Sequence, residues 1–220
     1  MTAAVKMFRL DLLTMQAYLK SYMIFMLYPV MFAWWEPTAM GVMAGFMLAM
    51  LGSSIFSVQE KNKLERLYGM LSISDRGLVA GRYLFLFANC LTVQLVMLPL
   101  HFLVSRLTGK MPAGQDLLLA IGLSYFLFWM QSSYQVPLFF KFGYTKMRLW
   151  VTLPFVLIAL GFGLLTPMFK LKEAAPSIEA WFEQIHQNSL SLSIVLLALG
   201  TLLGVVSYLI SIGVYKSTKQ

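Results

Sequence analysis

Apolar positions along the chain gather into six runs, over 21–35, 38–57, 82–104, 115–136, 149–168 and 191–214, with charged residues confined to the segments outside them and to their edges, at Arg82 and Asp116. A helix crosses a hydrocarbon core of about 30 Å with roughly 20 apolar residues, so the runs predict six transmembrane helices. Three of the gaps carry a periodicity of their own. Over residues 4–20, Val5, Phe8, Leu12, Met15 and Leu19 share one helical face while Lys6, Arg9, Gln16 and Lys20 fall on another, which predicts an interfacial helix within 1–20. An inward extension of the first span is the alternative.

The second patterned gap, "EKNKLERLYGMLSISDRG" over 60–77, is the longest charged stretch of the chain. Leu64, Leu67, Tyr68 and Leu71 lie on one face and Lys61, Glu65 and Arg66 elsewhere, so a segment over 58–77 is expected to hold an amphipathic helix between spans two and three. Ser74 and Asp75 then supply caps for a helix running into span three. The pattern alone fits equally a strut that passes force between two spans and a loop anchored in lipid. In the third gap, 170–190, Ile178, Trp181, Phe182 and Ile185 oppose Glu179 and Glu183 after Pro176 and Ser177, which predicts a short outer helix before span six.

Composition agrees with this layout. Hydrophobic residues make up 59% and charged residues 12% of the chain, against about 45–50% and about 25% in soluble domains. The fold class is an all-α integral membrane protein, with 1–220 forming a single six-span domain. The first run lacks both a basic n-region and a small-residue cleavage site, so it is expected to stay as a helix. The net charge of +8 is a topology signal. With the N-terminus inside, 13 of the 17 lysines and arginines fall on cytosolic segments, which orients both termini to the cytoplasm. Anionic lipid headgroups are the expected partners of this charge, and nucleic acid is not.

The supply of reactive groups is thin. The lone cysteine, Cys90, rules out an intrachain disulfide and a cysteine metal cluster. His101 and His186 stand apart from any HExxH, Gly-x-Ser-x-Gly or paired-acid motif, and no phosphate-binding G-x-x-x-x-G-K-[ST] loop occurs. No catalytic, cofactor or metal residue is assigned. No span carries an acid near its centre, which argues against proton- or ion-coupled carriage. Gly41, Gly45, Ala49 and Gly52 in span two, and Gly200 and Gly204 in span six, form rows that let another helix approach closely, within the chain or across a dimer seam. Asn89 and Gln94 in span three suit either interhelical hydrogen bonds or a substrate path.

One local pattern carries a resemblance. Leu71, Ile73 and Ser74, followed by Val79, Gly81, Arg82, Tyr83 and Leu84, are similar to a motif that enters span three in permease subunits of type-2 ABC exporters. There it reads Leu-Pro-Ile/Val-Ser-Arg and then Val-x-Gly-Lys/Arg-Tyr-Leu. Ser72 replaces the usual proline and Asp75 the usual arginine. The six-span layout resembles that family over the whole chain. The resemblance implies that 60–73 is a coupling helix, with Glu60, Lys61, Lys63, Leu64, Leu67, Tyr68 and Leu71 meeting an ABC ATPase subunit that binds ATP and Mg. It further implies a second permease copy, identical or not, in a bacterial cytoplasmic membrane, and an amphipathic or hydrophobic cargo such as a peptide, a lipid-like molecule or a drug. A membrane-embedded enzyme and a non-transporting scaffold or immunity protein are the rival readings.

Overall fold

The computed structural model describes residues 2–16, 18–32, 37–70, 73–109, 114–153 and 188–218. Among these residues the chain is helical throughout, without strands. The helices are α1 (Ala3–Gln16), α2 (Leu19–Phe32), α3 (Pro37–Lys61), α4 (Leu64–Met70), α5 (Asp75–Thr108), α6 (Gly114–Phe142) and α7 (Ser189–Thr218). A further helical run over 144–153 follows α6 directly. Four helices, α3, α5, α6 and α7, are long and apolar enough to cross a membrane. The first expected span is represented by α2, which is 14 residues long. Most of the fifth expected span and of the expected outer helix over 170–190, and Leu71, lie outside the described residues.

Local signals set several boundaries. The Ser74 side chain accepts a hydrogen bond from the Gly77 amide at 3.2 Å and caps α5, whose first turn carries Asp75. Gly109 ends α5 in the left-handed conformation, φ 70°. The stretch over 60–73 is not one continuous helix. Glu60 and Lys61 belong to the last turn of α3, and Lys63 at φ 51° breaks the chain before the seven-residue α4 begins. Nothing in the apolar pattern marks that break, because a lysine carries no turn signal.

Helix α6 is the centre of the bundle, clasped by α3 on one side and α7 on the other. Gly41 lies against Ala120 and Gly45 against Ser124, while Phe56 meets Phe139, so α3 and α6 run in the same direction. Gly122 lies against Ser193, Gly204 against Trp129, and Phe140 against Tyr215, so α6 and α7 also run in the same direction. Gly52 lies against Leu86 and Gln59 bonds Arg82, which sets α5 antiparallel to α3.

These contacts are close because lipid tails are as apolar as leucine, leaving van der Waals packing and interhelical hydrogen bonds to hold the helices together. A Cβ at Gly45 would run into the backbone of Ser124, and one at Gly204 would stand 2.8 Å from the Trp129 ring. Ala49 is buried as well. Gly45, Ala49, Gly52, Gly200 and Gly204 are buried within their own chain, while Gly41 is half-buried. Farther along α7, Ser207 and Ser211 contact the Tyr83 hydroxyl at 2.5 and 2.8 Å, and Ser207 donates to the Ser133 carbonyl at 2.7 Å.

Gly45 and Gly213 give a matched pair for testing this packing, since nothing lies within 4 Å of a Cβ at Gly213. Gly45→Ala should destabilise the protein by about 1–3 kcal/mol through overpacking. Gly213→Ala should be neutral or slightly stabilising, as alanine is the better helix former. Thermal unfolding in detergent, followed by monodisperse elution, reads both.

Candidate functional site

The charged end of the bundle converges on one side chain. Arg82 sits two turns into α5, a helix whose 34 residues span about 51 Å, well beyond the hydrocarbon thickness. Its guanidinium is fully buried. Nη1 pairs with Asp11 Oδ1 of α1 at 2.9 Å, and Nη2 donates to Gln59 Oε1 of α3 and to the Tyr68 hydroxyl of α4 at 3.3 Å. The rings of Phe56 and Tyr68 lie 5.2 and 5.9 Å from its central carbon. Five donors in a rigid planar fork, together with affinity for aromatic faces, make arginine the residue able to serve all these partners at once.

Neighbouring residues make room for the convergence. A Cβ at Gly77 would strike Ala3, and one at Gly81 would lie 2.8 Å from the Ala4 carbonyl and close to Met7. Helix α1 therefore lies directly on the first turns of α5, presenting Met7, Asp11 and Met15 inward, while Val5 and Leu12 of the expected apolar face stay exposed. Asp11 was not legible as a site residue. On a helical wheel it reads as one more solvated polar position, and only the small pair Gly77 and Gly81 hints that a second helix lies close.

Beside this cluster, Glu60 closes a second junction. Its Oε2 accepts the Tyr144 and Thr145 amides at 2.7 and 3.0 Å, capping the helical run that begins after Gly143. Gly143 takes φ 81° to make that turn. The end of α3 is thereby tied to the connection after α6. A cleft of about 320 Å³ lies between them, lined by Phe56, Gln59, Glu60, Lys63, Phe139 and Tyr144.

The remaining expected site residues fall as follows. Leu64 packs against the core and Tyr68 is 4% exposed, whereas Leu67 and Met70 are 42% and 79% exposed. Helix α4 is thus pinned by one face and turns an apolar pair outward. Lys61 and Lys63 are exposed, and the Glu60 carboxylate is occupied by the cap. Gln94 donates to Ser124 Oγ at 2.6 Å, bridging α5 and α6. Asn89, five residues earlier on α5, is half-buried.

A membrane-embedded enzyme would need a nucleophile beside a base, and the buried hydroxyl of Ser132 does not meet His101 in that way. His101 lies beside Ala120, and Ser132 is 12 residues farther along the same helix, about 18 Å away. Among the described residues no cluster of histidine, cysteine and acidic side chains is arranged to hold a metal ion.

A glycine-seamed bundle of apolar helices, with its charge gathered at one end, defines an integral membrane protein. Residues 6–216 match the family model described as ABC-2 family transporter protein. The chain belongs to that family of transporter membrane proteins. Neither a curated protein nor a solved structure matches it.

Burial pushes the Asp11 carboxyl up from 3.8 to about 6, outweighing the opposing pull of Arg82. The cause is visible in the geometry: Oδ1 meets Arg82, while Oδ2 has no hydrogen-bond partner among the described residues. A carboxyl with a raised folded-state pKa favours folding most below its unfolded value. That contribution is lost as pH rises from about 4 through about 6. The native protein should therefore lose stability across that window relative to Asp11→Asn, whose neutral amide removes the slope. Parallel melting curves at stepped pH give the difference.

Proposed function

We propose that this chain is the membrane-spanning subunit of an ATP-driven exporter in a bacterial cytoplasmic membrane. It pairs with a second permease copy and is driven by a separate ABC ATPase that binds ATP and Mg. The observation that carries this reading is α4, a short helix pinned from beneath by Arg82 through Tyr68, whose outward side offers Leu67 and Met70. An apolar pair held rigidly outward, with Lys61 and Lys63 beside it, suits a partner that seats a short helix in a groove.

The topology of the proposal is one six-span domain over 1–220 with both termini cytoplasmic. Its support is directional. The parallel course of α6 and α7 supports a single crossing between them, for which the sequence offers the apolar run over 149–168. The apolar run over 21–35, in which α2 lies, is read as the crossing that precedes α3. ATP-driven closure of the partner would press on α4 and switch the spans between inward- and outward-facing packings. An amphipathic or hydrophobic cargo fits a bundle whose interior carries amides, hydroxyls and aromatic rings and whose spans have no central acid.

Leu67→Asp combined with Met70→Asp should abolish co-purification of a nucleotide-binding subunit while leaving the permease monodisperse, because both side chains are already outside the core. Retention of an ATPase by the double variant, or its absence from the native preparation, would sink the reading.

A further inference from the structure

Arg82 touches more separate elements than any contact with a partner requires, and one of them, α1, lies apart from α4 in sequence. We infer that Arg82 is a positioning residue, the joint that binds the interfacial helix α1 to the coupling helix α4, so that the two move as one lever against span three. The inference rests on the exporter reading for its role in transport, and on geometry alone for the joint.

The argument begins with what α1 and α4 share. Helix α1 reaches the guanidinium through Asp11 Oδ1 on Nη1, while Tyr68 of α4 and Gln59 of α3 reach it through Nη2. The two nitrogens belong to one planar group whose atoms cannot move independently. Displacing α4 therefore either carries the guanidinium, and α1 paired to it, along with it, or breaks the Tyr68 contact and leaves part of a buried charged group without its hydrogen bond. Two further features favour joint motion. Gly77 and Gly81 bring the backbone of α1 into contact with α5, so the pair has no slack. The opposite side of α1 carries exposed Val5, Leu12 and Leu13, an apolar face suited to lying in lipid. A push on α4 would thus be delivered over the length of an interfacial helix as well as to the base of span three.

The test uses the full chain in lipid nanodiscs. With Cys90→Ala removing the buried native thiol, spin labels at Leu12→Cys on α1 and Met70→Cys on α4 report the distance between the two helices. With Arg82 in place the distribution should be single and narrow. Arg82→Lys keeps the charge beside Asp11 but cannot also reach Gln59 and Tyr68, so the distribution should widen by about twofold or split. Arg82→Gln with Asp11→Asn removes both buried charges together, sparing the fold the cost of a lone one, and should widen it equally. In the assembled transporter that same double variant should retain the ATPase and its hydrolysis while cargo moved per ATP falls by about tenfold, a change that damage to folding alone would not produce.

Distributions as narrow as the native one in both variants would overturn the joint. So would native transport per ATP in the double variant. Absence of any ATPase partner would instead remove the exporter reading, and the label distances would still decide whether Arg82 couples α1 to α4.

Discussion

A guanidinium withdrawn from water at the edge of a membrane bundle is the constraint around which the rest is arranged. Removing one partner from a buried ion pair typically costs about 3–5 kcal/mol, so the elements that satisfy Arg82 are held where they are by the penalty for leaving. Three consecutive residues divide the work. Gly81 admits α1, Arg82 gathers Asp11, Gln59 and Tyr68, and Tyr83 crosses to Ser207 and Ser211 of α7. The first turns of α5 are thus bonded to α1, α3, α4 and α7.

Away from that end, the bundle relies on proximity. Hydrocarbon gives apolar side chains no reason to leave lipid for one another, so α6 holds α3 and α7 by admitting their glycines against its own backbone and rings. The aromatic side chains fill what the glycines leave open. Trp129 lies against Gly204 and stacks at 6.3 Å with Tyr83, which in turn meets Tyr208 edge-on. Small residue against large ring is a packing rule that works without a hydrophobic drive, and it fixes the register of α7 on α6 more sharply than leucine on leucine would.

How much of this was legible follows from what each kind of signal measures. Hydropathy reports depth in hydrocarbon, so the apolar runs over 38–57 and 115–136 locate α3 and α6 but stop short of their ends at Lys61 and Phe142, α3 continuing through Gln59, Glu60 and Lys61. The cap at Ser74 was readable because it is local chemistry. The break at Lys63 was not, since nothing in the residue's type favours a positive φ. Asp11 escaped for a different reason. Its burial is decided by Arg82, 71 positions away, and helical periodicity carries no information about pairs so distant. Glu60 likewise read as one charge among several on a cytosolic segment, whereas its carboxylate caps a helix that starts 84 residues later.

The length of α4 connects these contacts to function. Seven residues make a helix of about two turns, far below the 12–15 at which helices become even marginally stable alone. Its helical form is therefore supplied from outside, by Leu64 on the core and by Tyr68 on Arg82. The side that remains, Leu67 and Met70, is presented only because the other side is bound. A surface of that kind has its orientation set by the same buried charge that holds α1, so on the proposed reading a partner seated on α4 would meet the bundle as a whole and not a loop that yields.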